Sequence, residues 1–282
     1  MDAQPRKRKR SDRPRGKRTE EALEMRRLKR DIFFLALKTK VEIIYDDDAI
    51  PGLIVQEGQP PDPACVQLVE LIRFDDPMTW DLAWKSGVTP WNKVASHPAL
   101  CEAVEESGIE FPRGRDKRAL VPGCGEGHDV IYIASTLGLN TTGVDISQTA
   151  IERAISIASA NLDVPHDVVS YKVENFFDLR PQTDADHYDL IYDYTFFVVL
   201  HPSQRSEWGR QMAALVKQGG YLITVLFPME PKRDTGLPWY VRQEDYDGPL
   251  ANAFEKVLDK VPKKLPPEWL DRRQYLSVWR RM

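Results

Sequence analysis

The chain has 282 residues, with 42% hydrophobic and 29% charged side chains, which is the composition of a folded protein with ample material for a core. Its formal net charge is −4, but residues 1–30 contain thirteen Lys and Arg against five Asp and Glu, a local charge of +8, which leaves −12 for the remainder. The acidic body excludes a broad nucleic-acid-binding surface outside the basic arm, and three well-separated cysteines exclude a disulfide framework and indicate a reducing compartment.

Residues 1–18 combine many like charges with almost no apolar side chains. We expect this tail to be disordered, because it cannot bury enough surface to offset its ordering entropy. Two basic clusters, at 6–10 and 13–18, are typical of a two-part nuclear localisation signal that binds the import machinery. The alternative is a solvated tail. We therefore expect a cytoplasmic protein. If the tail acts as a nuclear localisation signal, the protein would also enter the nucleus.

A helical extension is predicted after the tail. Over residues 19–45 apolar side chains recur at steps of three and four, and a Pro- and Gly-rich stretch at 51–63 then predicts a linker. No apolar run approaches the roughly 20 residues that span a bilayer, so no membrane segment is expected. We interpret 19–77 as an N-terminal extension with a linker, and 78–282 as the main domain.

Three tryptophans, Trp80, Trp84 and Trp91, fall within twelve residues. Trp80 and Trp84 are four residues apart and share one face of a predicted helix, and Trp91 follows a turn that contains Gly87 and Pro90. An aromatic stripe of this kind usually covers a core. The alternative is a lid whose indole rings pack on a flat or cationic ligand, which would gain cation–π attraction.

Strands and helices alternate beyond residue 117. Regular alternation predicts an α/β fold in which a mostly parallel, doubly wound sheet carries helices on both faces. Strands are predicted near 118–122, 141–145, 169–173, 188–193 and 220–226, and helices near 128–138, 148–161 and 203–217, after earlier helices at 65–74 and 97–107.

A glycine-rich turn joins the first of these strands to the next helix. Gly123, Gly125 and Gly127 let the backbone approach a ligand closely, and the helix start adds free N–H groups with a partial positive charge. The third glycine comes one residue too early for the dinucleotide fingerprint G-x-G-x-x-G, so a pyrophosphate ligand is not indicated. Asp145, at the end of the next strand, offers a carboxylate to a ribose diol.

Together these segments resemble the thiopurine S-methyltransferase superfamily, and within it most closely the thiol and halide methyltransferases of plants and fungi. The likeness runs in family order from about residue 78 to 245 and leaves 1–75 uncovered. The matching segments are the tryptophan trio with Gly87–Trp91, then Leu120–Gly125, Gly143–Ser147, Glu174–Phe177, Asp189–Phe197 and Gly219–Thr224.

The resemblance implies a Rossmann-like class I methyltransferase fold with an N-terminal helical lid. It also implies S-adenosyl-L-methionine as cofactor, with S-adenosyl-L-homocysteine as its product. Where the family usually has an aspartate before a pair of phenylalanines, this chain has Asn175, whose amide oxygen can still accept a hydrogen bond from the adenine amino group. The cofactor residues that the resemblance implies are Trp80, Trp84, Trp91, Gly123, Gly125, Asp145, Asn175, Phe176 and Tyr194.

Methyl transfer from a sulfonium is an in-line displacement that needs alignment and exclusion of water, and it requires no metal. The sequence has no clustered His and Cys pattern typical of a metal site. A thiol acceptor reacts as its thiolate, so a nearby base or cation would help. Four candidates for such catalytic roles follow the fourth predicted strand: Asp193, Tyr194, His201 and Arg205. For Asp193, His201 and Arg205 the alternative is a structural role, as a cap or on a solvated helix face.

We therefore expect an S-adenosylmethionine-dependent methyltransferase that acts on a small-molecule thiol or another soft anion. One alternative is methylation of oxygen or nitrogen, on a small molecule or a macromolecule, and another is a non-catalytic interaction module of the same fold. The segment Gly236–Tyr240 differs from the loop that borders the substrate in the family, and its Trp239 favours an apolar or aromatic acceptor.

Overall fold

The computed structural model of the chain describes residues 63–161, 166–229, 236–263 and 274–282. The tail predicted at 1–18, and the predicted extension up to residue 62, lie outside the described residues. Three helices precede the first strand: α1 (Pro63–Leu71), α2 (Met78–Lys85) and α3 (Pro98–Glu106). Helix α2 carries Trp80 and Trp84, as the spacing of these two residues predicted.

The described residues contain seven strands in a single sheet. In chain order they are β1 (Arg118–Pro122), β2 (Asn140–Asp145), β3 (Val169–Val173), β4 (Tyr188–Tyr194), β5 (Val216–Leu226), β6 (Phe254–Lys260) and β7 (Tyr275–Arg281). The remaining helices are α4 (His128–Leu137), α5 (Gln148–Ala160), α6 (Arg205–Leu215) and α7 (Gln243–Leu250). The strand order is β3-β2-β1-β4-β5-β7-β6, with β1 to β5 parallel and the last two strands antiparallel.

Side chains on the two faces of the sheet enter two separate cores. Leu120 and Ile191 point to one face, which packs against Trp208 of α6 and Tyr246 of α7. Their neighbours in the strands point to the opposite face and pack against α3 and α4. The predicted architecture, a mostly parallel sheet with helices on both faces, is therefore confirmed.

Sheet order and register set the position of the ligand site. Pro122 at the end of β1 pairs beside Val144 of β2, so the glycine turn and Asp145 leave the sheet at the same edge. Strand order reverses at β1, since β2 lies on one side of it and β4 on the other. In open α/β sheets ligands bind at such a point, outside the carboxyl ends of the strands.

Several elements differ from the predicted boundaries; helix α1, predicted at 65–74, spans Pro63–Leu71. Two further differences have a visible structural cause. Helix α6 starts at Arg205 rather than near 203, because Pro202–Gln204 forms a short 3-10 turn instead. Strand β5 starts at Val216, earlier than predicted, and it contains a bulge at which the pairing with β4 shifts. The bulge includes Gly219 with φ +79°.

The antiparallel pair β6 and β7 is joined to the start of the domain through α3. Glu102 of α3 is fully buried, and its carboxylate is 2.6 Å from Lys260 Nζ and accepts a hydrogen bond of 2.7 Å from the backbone nitrogen of Lys263. A buried carboxylate is tolerated only when it is paired and hydrogen-bonded. This contact therefore fixes the last third of the domain against α3.

Candidate functional site

The glycine turn between β1 and α4 adopts a backbone that requires glycine at two of the predicted positions. Gly123 has φ +59° and Gly125 has φ +53°, both in the left-handed region that L side chains rarely adopt. A Cβ at Gly123 would lie 2.7 Å from Cδ2 of Phe196, and one at Gly125 would lie 3.2 Å from Cζ2 of Trp84. Both conformation and space therefore restrict these positions to glycine.

Asp145 is bonded to the glycine turn. Its carboxylate accepts hydrogen bonds from the backbone nitrogens of Gly125, at 3.0 Å, and Ser147, at 2.9 Å. Burial raises the pKa of Asp145 above its ordinary value, although these bonds oppose the shift. Each carboxylate oxygen has a second lone pair, so Asp145 can accept hydrogen bonds from a diol without losing the backbone contacts.

A cavity of about 210 Å³ opens beside Asp145. It brings together side chains from α2, from the loops after β2, β3 and β4, and from the glycine turn. Seven of the nine cofactor residues implied by the resemblance line it: Trp80, Trp84, Trp91, Gly123, Asp145, Asn175 and Phe176.

The tryptophans pack on each other at the cavity wall. The ring centroid of Trp91 is 5.6 Å from that of Trp80 and 5.8 Å from that of Trp84, both edge to face. Trp84 is 2% exposed, and the cluster continues into apolar side chains that include Leu68 and Val88. The tryptophans therefore pack with the core, as one interpretation of the stripe expected, and they also line the cavity. That their indole rings cover a ligand stays a prediction.

Asn175 and Phe176 also line this cavity. The Asn175 Oδ1 atom accepts a hydrogen bond of 3.1 Å from the backbone nitrogen of Phe177 and caps the 3-10 turn Phe176–Asp178. Phe176 is 3% exposed and stacks edge to face on Phe196 at 5.1 Å. The amide oxygen predicted to meet an adenine amino group is thus already held in place by the chain.

A second cavity of about 250 Å³ lies on the other side of the glycine turn and shares Trp91, Gly123 and Thr195 with the first. The remaining two predicted cofactor residues, Gly125 and Tyr194, line this one. The two cavities therefore form adjoining spaces along the carboxyl edge of β1 and β4.

Thr195, where the cavities meet, has φ +61°. A β-branched residue in the left-handed region is strained, at a cost on the order of 1–3 kcal/mol, and such strain often accompanies ligand sites. The Thr195 hydroxyl donates to its neighbour's carbonyl, Tyr194 O, at 2.6 Å. Nothing in the sequence pattern signalled this conformation.

Polar residues that sequence analysis missed line the second cavity. His97 is 4% exposed, its ring centroid is 4.2 Å from that of Tyr194, and its Nδ1 accepts a hydrogen bond from the Ala99 nitrogen. Its backbone nitrogen donates to Asp129 Oδ1 at 2.9 Å. Burial lowers the pKa of His97 to about 3 and raises that of Asp129 to about 6. The one signal for this pair in the sequence is His97-Pro98, a pattern typical of a helix start.

No cluster of three or more His, Cys, Asp or Glu side chains that could hold a metal ion occurs within the described ranges. In the same part of the chain, no helix has the length and apolarity needed to cross a bilayer.

The family model described as thiopurine S-methyltransferase matches residues 75–276. The chain belongs to the thiopurine S-methyltransferase family. The family resemblance that the sequence motifs indicated is therefore confirmed, and it reaches further along the chain than those motifs did.

Two plant members of the family are similar to this methyltransferase over most of its main domain. Probable thiol methyltransferase 2 of Arabidopsis thaliana is 39% identical over 186 residues, which cover 66% of this chain and 77% of that protein. Thiocyanate methyltransferase 1 of Brassica oleracea is 34% identical over 179 residues, covering 64% and 74%.

Solved methyltransferase structures share the fold. The 1,6-didemethyltoxoflavin-N1-methyltransferase of Burkholderia thailandensis, with its substrate and S-adenosylhomocysteine bound, has a TM-score of 0.57 at 17% identity and covers 80% of this chain and 93% of that one. A SAM-dependent methyltransferase of Methanosarcina mazei has a TM-score of 0.51 at 19% identity, covering 62% and 94%. Family and fold together make the chain an S-adenosylmethionine-dependent methyltransferase, and we set aside the interpretation as a non-catalytic module.

The residues present fit this cofactor. The left-handed turn at Gly123 and Gly125 leaves space that a Cβ would fill, Asp145 offers acceptor oxygens at the cavity, and the tryptophans present aromatic surface to a sulfonium. Which residue contacts which part of the cofactor remains a prediction.

The structure brings one of the four catalytic candidates, Tyr194, to a cavity. Asp193 is 1% exposed, and it accepts hydrogen bonds from Trp208 Nε1 at 2.8 Å and from the Phe197 nitrogen at 3.1 Å. Burial raises the pKa of Asp193 to about 6. It lines neither of the two cavities, and these contacts favour the structural alternative.

His201 and Arg205 also lie outside the lining of both cavities. The Arg205 guanidinium forms a short ion pair with Asp245 and donates to the Tyr240 carbonyl at 2.9 Å. His201 is exposed, and its Nδ1 lies 2.7 Å from the Ser203 hydroxyl. His201 caps the 3-10 turn, which matches the structural alternative. Arg205 is buried rather than on a solvated helix face, because its guanidinium forms the ion pair that joins α6 to α7.

Proposed function

We propose that this enzyme transfers the methyl group of S-adenosyl-L-methionine to the sulfur of a small thiol. The observation that carries the proposal is the composition of the first cavity beyond Asp145. Apolar and aromatic side chains form much of the lining, among them Phe74, Pro77, Phe196, Val199 and Leu200. Among the described residues its one basic side chain is Arg73, and the polar residues Glu174, Thr195 and Gln204 also line it. Such a wall suits a soft, weakly hydrated sulfur anion.

The cofactor supplies a methyl group on a positively charged sulfur, which leaves as a neutral thioether. In this chain Asp145 would accept hydrogen bonds from the ribose, and Asn175 with Phe176 would frame the adenine. The tryptophans would cover the sulfonium and keep water out. The chain's contribution is therefore alignment and desolvation, which is what an in-line displacement requires.

The acceptor is expected to react as a thiolate. An unperturbed thiol has a pKa near 8.5, so a modest fraction is ionised at neutral pH without a dedicated base. The guanidinium of Arg73 at the cavity wall would raise this fraction by favouring the anion. Its side chain is 67% exposed, so solvent weakens this effect.

An aromatic cluster favours an aromatic acceptor. Phe74 lines the first cavity, and its ring centroid is 5.8 Å from those of Trp239 and His201, which are 5.2 Å from each other. The ring of an aromatic acceptor would make further offset or edge-to-face contacts of this kind. The names of the plant relatives, a thiol and a thiocyanate methyltransferase, support a sulfur acceptor without fixing its size.

Methylation of oxygen is the second candidate, and Asp129 favours it. The chain shields Asp129 from bulk solvent but leaves it in the second cavity, with Tyr194, and its pKa of about 6 suits a general base near neutral pH. A phenol, whose pKa is near 10, needs such a base far more than a thiol does.

A competition between matched acceptors tests the proposal. Thiophenol, phenol, aniline and thiocyanate are each supplied with methyl-labelled cofactor, and products are identified by mass spectrometry at one pH. We expect thiophenol to react at least tenfold faster than phenol or aniline. Preferred methylation of phenol, together with its loss in Asp129→Asn, would instead establish the oxygen acceptor. The Asp145→Ala variant serves as control, because it should slow every acceptor alike.

A further inference from the structure

Helix α2, which carries Trp80 and Trp84, is bonded to the start of α5 by one buried acid. Asp81 is 3% exposed, and its Oδ1 accepts hydrogen bonds of 2.8 Å from the Ser147 hydroxyl and 2.9 Å from the Thr149 nitrogen. Its Oδ2 pairs with Lys85 Nζ at 2.7 Å. Ser147 is itself the N-cap of α5, so Asp81 contacts the positive end of that helix.

A second link joins α2 to the glycine turn through α5. The Arg153 side chain donates from Nη2 to the Trp84 carbonyl at 3.1 Å, and its guanidinium lies 5.4 Å from the centre of the Trp84 ring. Its Nη1 donates to Glu126 Oε1 at 3.4 Å. Glu126 belongs to the glycine turn and lines the second cavity.

Both links end on the loops that would hold the cofactor. Ser147, which bonds to Asp81 through its hydroxyl, also donates a hydrogen bond from its backbone nitrogen to Asp145. Glu126, which pairs with Arg153, directly follows Gly125 in the chain. Trp84 stands directly over Gly125, since its ring would lie 3.2 Å from a Cβ placed there. Helix α2 is thus bonded to the two parts of the site that it covers.

The short helix needs such bonds to hold its orientation. Helix α2 has 8 residues, and isolated helices shorter than about 12 residues are marginal in water. Burial of a carboxylate is costly unless its oxygens are bonded, and Asp81 has a partner on each oxygen. Burial opposes ionisation, but the bonds from Lys85, Thr149 and Ser147 hold the pKa of Asp81 well below its usual range. The carboxylate therefore stays charged at every working pH.

We propose that Asp81 and Arg153 are positioning residues that hold the tryptophan helix α2 closed over the cofactor cavity, and so set how fast cofactor and product leave. The proposal rests on the cofactor occupying this cavity and does not depend on which acceptor is methylated. Release of S-adenosyl-L-homocysteine requires α2 to move away from the glycine turn, and each broken link lowers the barrier to that movement.

A graded series of variants separates the bonds. Lys85→Met removes only the ion pair between Lys85 and Asp81. Asp81→Asn removes this ion pair and also places an amide nitrogen where Oδ2 was. Asp81→Ala removes all three bonds of the carboxylate. Arg153→Lys keeps the charge beside Glu126 but loses the fixed guanidinium contact with Trp84. Glu152→Gln is the control for loss of a charge on α5, because Glu152 is exposed, accepts a hydrogen bond from Gln148 and acts on Lys85 through its charge.

The measurement is the dissociation rate of S-adenosyl-L-homocysteine from full-length protein, followed by stopped-flow tryptophan fluorescence. We expect little change for Glu152→Gln, up to about threefold for Lys85→Met, and at least tenfold faster release for Asp81→Ala and Arg153→Lys. Association rates should change much less. The Asp81→Ala and Arg153→Lys effects should also shrink to less than twofold in a Trp80→Ala/Trp84→Ala background, where no tryptophan lid remains.

Two results would overturn the proposal. One is an unchanged dissociation rate in Asp81→Asn and Arg153→Lys. Circular dichroism checks that these two variants fold, and the test depends on them if Asp81→Ala does not fold. The other is an equal effect of Asp81→Ala with and without the two tryptophans, because a general loss of stability would act in both backgrounds. Failure of the thiol proposal would leave these rates unaffected, since no acceptor is present in the measurement.

Discussion

The carboxylate of Asp145 accepts a hydrogen bond of 3.0 Å from the backbone nitrogen of Gly125. The acid that ends β2 and the glycine turn that follows β1 therefore form one bonded unit, twenty residues apart in sequence. Replacing either residue should disturb the backbone of the turn and, with it, the contact that Asp145 is predicted to make with the ribose of the cofactor.

Asp145→Ala should weaken binding of S-adenosyl-L-methionine by about 1–3 kcal/mol, the scale for losing one partner of a charged hydrogen bond. Isothermal titration calorimetry measures this affinity. Glu207→Gln, an exposed acid in the first turn of α6, is the control and should bind normally. Unchanged affinity in Asp145→Ala would remove this carboxylate from the cofactor site.

Two glycines with similar backbones should respond differently to alanine. Gly123→Ala and Gly219→Ala both place a side chain at positive φ, which costs about 1 kcal/mol of folding free energy. Only Gly123 also meets a neighbour, Phe196, at 2.7 Å, whereas a Cβ at Gly219 meets nothing within 4 Å. Urea unfolding should therefore show a larger loss for Gly123→Ala, and calorimetry should show weaker cofactor binding for that variant alone. Equal losses in both measurements would contradict the crowding at the turn.

Asp193 should make stability depend on pH with an unusual sign. Its pKa of about 6 in the folded chain exceeds the value near 3.9 of an unfolded aspartate, so between these values the folded state binds more protons. The free energy of unfolding should therefore fall as pH rises from about 4 to 6, by up to about 3 kcal/mol from this group. Urea unfolding of wild type and Asp193→Asn across this range checks it. The variant should lose the part of the slope that Asp193 contributes and keep the part from Asp129, whose pKa is also about 6.

Trp208→Phe provides a second variant for the same group. It removes the indole donor 2.8 Å from Asp193, which stabilises the ionised carboxylate. The pKa of Asp193 should then rise further, and the fall in stability should extend to higher pH. A slope identical to wild type would mean that Asp193 does not titrate in this range.

Arg205→Met should destabilise the fold by about 3 kcal/mol, because it leaves Asp245 without its partner in a largely buried pair. Cofactor affinity should stay within twofold of wild type at a temperature where the variant remains folded. Steady-state kinetics then decide the remaining question. A fall in kcat of a hundredfold or more, with normal cofactor binding, would restore Arg205 to the catalytic role predicted from sequence.

Deletion of residues 1–18 should leave kcat and KM for a small thiol unchanged, because the residues that line both cavities begin at Arg73. The ratio of nuclear to cytoplasmic fluorescence of tagged full-length and truncated protein tests import separately. A lower kcat in the truncated enzyme would assign the basic tail a part in catalysis.

The parallel part of the sheet was predictable because β1, β4 and β5 contain short apolar runs and the parallel strands alternate with helices and turns. The antiparallel pair β6 and β7 was not predicted. Strand β6 is an edge strand whose side chains alternate between exposed and partly buried, and it includes Glu255, Lys256 and Asp259, so it carries no strong apolar period. Its place in the sheet depends on pairing with β7, which local sequence does not reveal.

The cavity walls were predictable where one motif supplies several residues, as with the tryptophans of α2. Residues whose surroundings come from distant segments were not. Asp193 lies near the end of β4 and Arg205 follows that strand, but their polar atoms are bonded to Trp208 and Asp245. His97 reaches the site only because its nitrogen meets Asp129, 32 residues further along the chain. Such pairs depend on tertiary packing rather than on spacing.

The pairing of Glu102 with Lys260 and Lys263 has a consequence for biosynthesis. Glu102 and Lys263 are 161 residues apart, so the ribosome completes nearly the whole domain before Glu102 meets the Lys260 ammonium group and the backbone nitrogen of Lys263. Until then a carboxylate destined for full burial has no lysine beside it, and the core around α3 cannot close. Folding of the first half of the domain therefore waits for the last strands, and a nascent chain that stops before β6 exposes apolar surface to chaperones.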